Sequence, residues 1–450
     1  MSLQDFIEKL EQRDELHRIH TPIDPNLELA TITNRICKAP DGGKALLFEK
    51  IKDSPFPVVT NLFGSKTRTA LALGASSLTT FETRLGQELK NAQDANSAHK
   101  LRSVLDTPRL KPQQQGDNLP LSASGNLSDL PAFRFWPKET RTNLTLPLVM
   151  TIDPDTGQQN CGLYRIQCID DKNASINFKP GSDGGQHAAA WARKKQLMPV
   201  VIVLGCAPDL IWAASAPLPS GCSEFDLVGW LRNAPLSVSA RLHQALLVPA
   251  DADIIIEGYI TPNATAAETP FGNHSGGYVH NNSASLLNIT SVRWKKNAIC
   301  PATLVGPPPM ENNYLAKASE RFICALLRID YPQIRDLHMP QETIFHGCTF
   351  ITVEEMSERQ RHDLIRSLWH SGPLCRAKLL ILLHRDCNLR SPSEVYWRAI
   401  NRLREDRMMV EGGKVALDAT DIEPIQRLKE DPAITSKVAK RWAEYGFDPN

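Results

Sequence analysis

The sequence contains ten cysteines but no Cys-x-x-Cys pair, which argues against zinc ribbons and redox dithiols. Most of these cysteines stand in apolar strings, so we expect buried, reduced thiols that pack as small hydrophobes. No Gly-x-Gly-x-x-Gly follows a predicted strand, and no P-loop sequence is present. Adenine dinucleotides and nucleoside triphosphates are therefore not expected as ligands.

The sequence also lacks long apolar runs and any excess of charge. None of its apolar runs approaches the roughly 18 residues that a membrane span needs, and residues 1–9 contain no apolar signal core. With 51 basic residues against 50 acidic residues, it gives no electrostatic reason to expect nucleic acid or an acidic membrane as a partner. We therefore expect a cytoplasmic protein, in which a small anionic ligand would need a local basic site.

With 450 residues, of which 42% are hydrophobic, the chain is long enough for two or three domains. Helical and strand patterns predict an N-terminal α/β domain followed by a polar connector, together residues 1–118. Residues 119–305 carry many short strand patterns with few helices between them, which favours a β-barrel-like core over a doubly wound sheet. Helices alternate with strands in residues 306–450, which predicts a C-terminal α/β domain with a parallel or mixed sheet.

The stretch from Asn160 to Gln167 reads Asn-Cys-Gly-Leu-Tyr-Arg-Ile-Gln and follows Asp153-Pro-Asp-Thr-Gly, a strong turn signal. Its alternation of apolar and polar residues predicts one strand over 160–168, the second strand of a hairpin. One face would offer the amide oxygen of Asn160, which suits a hard cation, and the other the guanidinium of Arg165, which suits a carboxylate or phosphate. A cross-strand ion pair is the plainer interpretation of this arginine.

This stretch resembles the UbiD family, decarboxylases that use prenylated flavin mononucleotide (FMN) and carry an Asn-x-Gly-x-Tyr-Arg-x-Gln strand. Other segments resemble the family in the same order, and together they span nearly the whole chain. They are Ala45-Leu-Leu-Phe-Glu49, Asn61-Leu-Phe-Gly-Ser65, Pro217-Leu-Pro219, Ser223-Glu224, Glu268-Thr-Pro-Phe-Gly272 and Gly306-Pro-Pro-Pro309. The resemblance implies a mixed α/β and α+β fold with a central split β-barrel of the flavin-reductase type. It also implies a homo-oligomer, either a dimer or a hexamer, with oligomer contacts in the C-terminal domain.

The resemblance further implies a carboxy-lyase that reversibly and non-oxidatively decarboxylates an aromatic or α,β-unsaturated carboxylic acid. Loss of CO2 leaves a carbanion, so the reaction needs an electron sink that no ordinary side chain provides. The family's sink is prenylated FMN, which a separate flavin prenyltransferase supplies. A divalent metal, Mn2+ in our expectation, and a monovalent cation, K+ or Na+, hold it through its phosphate. The residues implied for the cofactor are Asn160, Arg165, Ser215, Ala216, Pro217, Glu224 and Lys378.

Asn160 and Glu224 stand at two of the family's three metal-ligand positions. Glu224 is also typical of a helix start, where acidic residues are favoured, and Lys378 is equally compatible with a solvated lysine. The third family ligand is a histidine, and here Gly181 or Ser182 falls at its position. Asp183 and His187 are the candidates to replace it, although Asp183 could simply be a helix N-cap and His187 a first-turn residue.

Arg165 and Glu268 match the arginine and the first glutamate of the family's catalytic ion-pair network. An arginine can orient a carboxylate, and a glutamate can donate the proton to a carbanion. The network's third member is here Asn273, whose amide neither gives nor takes a proton at neutral pH. His274 is either a neighbouring titratable group or an ordinary loop residue. These departures keep open a non-catalytic UbiD relative that binds a flavin or a protein partner.

Overall fold

A computed structural model of the chain describes residues 1–115, 119–131, 133–179, 181–242, 245–344, 347–420, 428 and 430–448. The boundary predicted at residue 118 lies outside these residues. The described strands form five sheets of four, nine, three, two and five strands. Short 3-10 helices occupy Pro40–Gly42, Pro108–Leu110, Leu127–Asp129, Gln341–Thr343, Glu405–Arg407 and Trp442–Tyr445.

The N-terminal region is a small sheet covered by helices, as its patterns predict. Its elements are α1 (Leu3–Gln12), β1 (Leu16–Ile19), α2 (Glu28–Cys37), β2 (Ala45–Phe48), β3 (Val58–Thr60), α3 (Lys66–Ala72), α4 (Leu78–Asn91) and α5 (Ser97–Leu105). The strand Cys300–Pro301 completes this sheet by pairing in parallel with β3. The polar connector holds α5, whose Leu101 and Leu105 are buried, so this segment is more than a surface link.

The central region is built around the nine-stranded sheet. Its elements are β4 (Gln113–Gln114), β5 (Ala123–Gly125), β6 (Asn143–Leu144), β7 (Leu148–Ile152), β8 (Gln159–Leu163), β9 (Ile166–Cys168), β10 (Asn173–Ile176), α6 (Asp183–Lys194), β11 (Met198–Leu204), α7 (Pro208–Ala213), α8 (Glu224–Arg232), β12 (Ser237–Arg241), β13 (Leu246–Pro249), β14 (Ile254–Ala266), β15 (Phe271–Gly272), β16 (Tyr278–Val279), β17 (Ala284–Trp294) and β18 (Cys300–Pro301). The strand order is β6-β9-β10-β17-β14-β11-β7-β8, with β5 also paired to β17. Within the described residues β6 and β8 do not pair, so the sheet does not form a closed barrel.

The strand predicted over 160–168 is in fact two strands, and this part of the prediction is wrong. Strand β8 pairs with β7, whereas β9 pairs with β6 and β10, so the chain changes partners at Tyr164 and Arg165. Both halves are strands, so apolar and polar residues alternate in each of them, and the sequence pattern does not reveal the break between them. Arg165 lies at this break, where its carbonyl accepts at 3.2 Å from the N–H of Asn177, the residue after β10.

The C-terminal region has a mixed sheet covered by helices, as predicted. Its elements are α9 (Glu311–Asp330), β19 (Ile334–His338), β20 (Cys348–Val353), α10 (Glu358–His370), β21 (Leu379–His384), α11 (Pro392–Asn401), β22 (Met408–Glu411), β23 (Lys414–Ala419) and α12 (Pro432–Lys440). Strands β20, β21 and β23 are parallel, and β19 and β22 are antiparallel at the edges. Helix α9 packs Phe322 into the core of the N-terminal helices and Leu327 into the core of the C-terminal sheet.

Eight of the ten cysteines are buried, which confirms their expected role as packed thiols. Burial also raises the pKa of Cys168 and Cys348 to about 12. Of the helices in the described part of the chain, none combines the length and apolar character that crossing a bilayer requires.

Candidate active site

An ion pair between Arg165 and Glu268 forms the centre of the candidate site. The Nη2 atom of Arg165 lies 2.5 Å from Oε2 of Glu268, and Nε lies 3.4 Å from Oε1. The glutamate side chain is 0% exposed and the arginine side chain 17% exposed. Arg165 comes from the break between β8 and β9, and Glu268 from the segment that joins β14 to β15. The structure thus brings together two of the three residues that the sequence assigns to the catalytic network, Arg165 and Glu268.

Asparagine side chains complete the surroundings of Glu268. The amide of Asn177 donates from Nδ2 to Oε2 of Glu268 at 2.9 Å, and Asn281 donates to Oδ1 of Asn177 at 3.2 Å. The backbone N–H of Glu268 donates to the carbonyl of Asn281. Oε2 of Glu268 is therefore shared by two donors, whereas Oε1 has only the longer contact with Arg165. Neither asparagine is marked by any motif in the sequence.

Gln167 and Phe271 pack on either side of the ion pair, Gln167 beside Glu268 and Phe271 beside Arg165. Gln167 accepts at 2.7 Å from the N–H of Thr269, the residue after Glu268, and donates at 3.4 Å to its carbonyl. The guanidinium carbon of Arg165 lies 4.3 Å from the centre of the Phe271 ring, a cation–π geometry. Both contacts involve residues of the Asn160–Gln167 and Glu268–Gly272 motifs, so these motifs meet in space.

Asn273 lies in the turn between β15 and β16. Its N–H donates to the carbonyl of Gly277 at 2.9 Å, and its side-chain oxygen accepts from the N–H of His274 at 2.6 Å. These contacts are internal to the turn, and in the described structure none joins Asn273 to Arg165 or Glu268. The ring of His274 instead lies 3.0 Å from the amide of Asn312 in the first turn of α9.

Asn160 lies in β8, and Glu224, the first residue of α8, contacts the same strand. The partly buried carboxyl of Glu224 accepts at 3.1 Å from the N–H of Cys161, the neighbour of Asn160. Burial raises the pKa of Glu224 to about 8, because no cation compensates for the lost solvation. Asn160 itself donates to Thr151 Oγ1 at 3.3 Å, which lies 2.9 Å from Nδ1 of His187.

Both candidate replacements for the missing histidine lie near this pair: His187 reaches Asn160 through Thr151, and the charge of Asp183 adds to burial in raising the pKa of Glu224. Burial lowers the pKa of His187, which favours the neutral imidazole that can bind a metal. Asp183 is the first residue of α6, and Ser182 is the N-cap because its hydroxyl accepts from the N–H of Gly185. The N-cap role predicted for Asp183 is therefore wrong. In the described residues, no group of three His, Cys, Asp or Glu side chains is arranged to hold a metal.

The remaining cofactor residues come from two regions of the chain, Ser215–Pro217 from the central region and Lys378 from the C-terminal region. The segment that leads into Ser215–Pro217 runs beside β8, where the N–H of Leu163 donates to the carbonyl of Ala214 at 3.1 Å. Lys378 precedes β21 and is exposed. Two further basic residues, Lys179 and Arg376, lie near each other, and no sequence motif marks them. Partial burial lowers the pKa of Lys179, and the positive charges of Arg376 and Arg165 lower it further.

Comparison with known proteins covers almost the whole chain. Family models for the 3-octaprenyl-4-hydroxybenzoate carboxy-lyase match in three parts: its N-terminal domain at residues 7–86, its Rift-related domain at 111–308 and its C-terminal domain at 313–438. An uncharacterized protein of Archaeoglobus fulgidus is 32% identical over 99% of this chain and 93% of its own length. A second, from Aquifex aeolicus, is also 32% identical and is covered over 99% of both chains.

Solved structures share the fold at lower identity. Vanillic acid decarboxylase of Sedimentibacter hydroxybenzoicus, in its closed form, aligns with a TM-score of 0.85 at 21% identity over 99% of both chains. An evolved dimeric form of the UbiD-class enzyme HmfF from Pelotomaculum thermopropionicum, in complex with prenylated FMN, aligns with a TM-score of 0.82 at 21% identity. That alignment covers 97% of this chain and 98% of the HmfF chain.

Proposed function

Because the chain belongs to the UbiD family of carboxy-lyases, we propose that it removes CO2 reversibly and non-oxidatively from an aromatic or α,β-unsaturated carboxylic acid, with prenylated FMN as cofactor. The observation that carries this proposal is the buried pair of Arg165 and Glu268. An arginine fork can bind a substrate carboxylate, and a carboxyl group beside it can transfer a proton. The HmfF structure holds prenylated FMN on the same fold.

The chain's own residues fit an anionic cofactor held through a cation. Glu224 is a partly buried carboxyl without a cationic partner among the described residues, and it contacts the neighbour of Asn160. A carboxylate from Glu224 and an amide oxygen from Asn160 would therefore suit a hard divalent ion such as Mn2+. His187, which reaches Asn160 through Thr151, would offer an imidazole, and K+ or Na+ would be a second cation. Lys179, Arg376 and Lys378 would complement the cofactor phosphate, and Ser215, Ala216 and Pro217 would line the flavin.

In the proposed reaction, the bound flavin supplies the electron sink that decarboxylation requires. Arg165 orients the substrate carboxylate from its place over Phe271. Glu268 transfers the proton through Oε1, the oxygen that Asn177 and the short Arg165 contact leave open. Its complete burial keeps bulk water from competing for that proton. In this scheme Asn273 has no chemical step, because its contacts stay within its own turn.

We also propose that the protein is a homo-oligomer, a dimer or a hexamer, with contacts through the C-terminal domain. An exposed apolar surface on α11, β22 and the residues between them supports this. Its members are Tyr396, Trp397, Ile400, Leu403, Met408 and Val410. Helix α12 has no buried residue in the single chain. The central sheet would then be an open variant of the split barrel, and a flavin prenyltransferase would supply the cofactor.

The test is to produce the protein together with a flavin prenyltransferase and measure CO2 release from a panel of cinnamic and hydroxybenzoic acids. Mass spectrometry of the ligand released on denaturation identifies the flavin. The proposal predicts bound prenylated FMN and turnover of at least one acid. Bound, mature cofactor with neither CO2 release nor hydrogen–deuterium exchange on any acid would favour the non-catalytic alternative.

A further inference from the structure

Glu139 is a buried carboxyl group that is not part of the proposed chemistry. Its side chain is 0% exposed, and burial raises its pKa. Oε2 accepts from the N–H groups of Phe135 at 2.7 Å and Trp136 at 3.3 Å, while Oε1 accepts at 2.9 Å from the N–H of Gly272. One carboxylate therefore ties its own turn to a residue 133 positions away in the sequence.

The residue it holds belongs to the hairpin that carries the candidate catalytic groups. Gly272 pairs with Tyr278, follows Phe271, and lies four positions after Glu268. A β-carbon at Gly272 would overlap the indole of Trp136, whose Nε1 is itself anchored at 2.7 Å on the carbonyl of Val305. The close approach that the Glu139 bond requires is therefore possible only with glycine.

Residues around Glu139 contact both ends of the same hairpin. The N–H of Lys138 donates to the hydroxyl of Tyr278 at 3.3 Å, and Arg141 donates to the carbonyl of Ala267 at 2.9 Å. The segment 135–141 thus meets the hairpin before Glu268, at Gly272 and at Tyr278. Of these contacts, the one from Glu139 is the most deeply buried and the closest to Phe271.

We propose that Glu139 is a positioning residue, which fixes Gly272 and thereby holds Phe271 against Arg165 and Glu268 in its proton-transfer position. This inference rests on the proposed function. A carboxylate suits the task because it accepts from three N–H groups at once and offers no donor of its own. An amide at this position would turn an N–H toward one of these donors and release part of the hairpin.

The experiment compares Glu139→Gln and Glu139→Asp with the native protein. Hydrogen–deuterium exchange of peptides spanning 266–283 reports on the hairpin whether or not the enzyme is active. We expect exchange in these peptides to be at least about tenfold faster in Glu139→Gln and partly restored in Glu139→Asp, which keeps both acceptor oxygens. Native exchange rates in the hairpin of Glu139→Gln would overturn the proposal. If Glu139→Gln does not fold, the same comparison is made with Glu139→Asp, where native hairpin exchange would also overturn it.

The kinetic readout separates positioning from general stability. With prenylated FMN bound, Glu139→Gln should lower kcat by about 10- to 100-fold, leave KM and flavin content near native, and shift the pH profile of kcat. The matched control is Glu257→Gln in β14, which breaks a buried ion pair with Arg241 of β12 and leaves the hairpin untouched. An equal loss of kcat in both variants would overturn the proposal. If the native protein turns over no acid, the proposed function fails, while hairpin exchange still decides the role of Glu139.

Discussion

Asn177 donates a hydrogen bond to Oε2 of Glu268, the same oxygen that receives the short contact from Arg165. Asn177 follows β10 directly, so this amide reaches Glu268 from the central sheet and not from position 273. The pair is therefore assembled without Asn273. In the proposed mechanism, Glu268 is the one carboxyl group that exchanges a proton with the substrate.

Replacing Glu268 by glutamine should lower the rate of CO2 release by about 10²- to 10⁴-fold, the usual cost of losing one general acid. The shape of the side chain and its bonds to Arg165 and Asn177 largely persist, so flavin content should stay near native. Steady-state assays with prenylated FMN bound measure this. Turnover within twofold of native would remove Glu268 from the mechanism.

Asn177→Ala and Asn273→Ala form a matched pair of asparagine substitutions. The first removes a hydrogen bond to a charged group, worth about 1.5–3 kcal/mol, so we expect kcat to fall by at least about tenfold. The second changes only a turn and should leave kcat within about threefold. Asn273→Asp should bring no gain in activity. A strong increase in Asn273→Asp would show that position 273 reaches the reacting groups.

Stability of the metal-free protein should fall as pH rises from 4.5 to about 8. The folded pKa of Glu224, about 8, lies above its ordinary value of 4.5, so in this window the folded state holds a proton that the unfolded state releases. Each pH unit then costs about 1.4 kcal/mol. Chemical unfolding in the presence of a chelator measures the slope, which should flatten in Glu224→Gln. An unchanged slope in that variant would contradict the assignment.

Binding of Mn2+ should tighten over the same pH window, because the cation must displace the proton on Glu224. Titration calorimetry in two buffers of different ionisation enthalpy counts the released protons, and we expect close to one at pH 6.5. His187→Ala should weaken binding if the imidazole is a ligand. Proton-independent binding, or equal affinity in Glu224→Gln, would exclude the Asn160–Glu224 site.

Arg321→Ala should destabilise the protein by about 1.5–3 kcal/mol, the usual worth of hydrogen bonds to charged groups. Its carboxyl partners each lose one cation but keep another, Arg328, Lys317 or Arg390. Arg321 bonds to Glu82 in α4, to Glu320 and to Asp336 in β19. The control is Arg359→Ala, whose side chain is 93% exposed and 3.9 Å from Asp363, and it should change stability by less than about 1 kcal/mol. Denaturant unfolding measures the stability of both variants. Equal losses of stability would show that the ion pairs of Arg321 do not stabilise the fold.

Local sequence patterns are sufficient to predict the helices and strands that have clear apolar periodicity, such as α9 and α10. Helix α4 was missed although Phe81, Leu85 and Leu89 recur at its helical spacing, so its signal was present. The break after β8 was not visible, because pairing with distant strands decides where a strand changes partners. Asn177 also escaped notice, since it reaches Glu268 only because Ile176 pairs with Ile166.

Arg165, Glu268, Asn160 and Glu224 were found because they lie in motifs of several residues. Lys179, Arg376 and Glu139 lie outside those motifs and gain their significance from neighbours that only the fold brings close. A buried carboxyl such as Glu139 is recognisable once its backbone donors are known. In the sequence it is an ordinary acidic residue between Lys138 and Thr140.

Helix α9 contributes residues to two hydrophobic cores, and this limits where the chain can be truncated. Phe322 packs edge-on against Trp212, with ring centres 6.1 Å apart, and Leu315 and Leu326 lie in the same N-terminal core. A polypeptide ending at residue 305 would leave this apolar groove open to water and aggregate. The shortest soluble fragment that retains the central sheet must therefore extend through Asp330, although this helix precedes the C-terminal sheet in the chain.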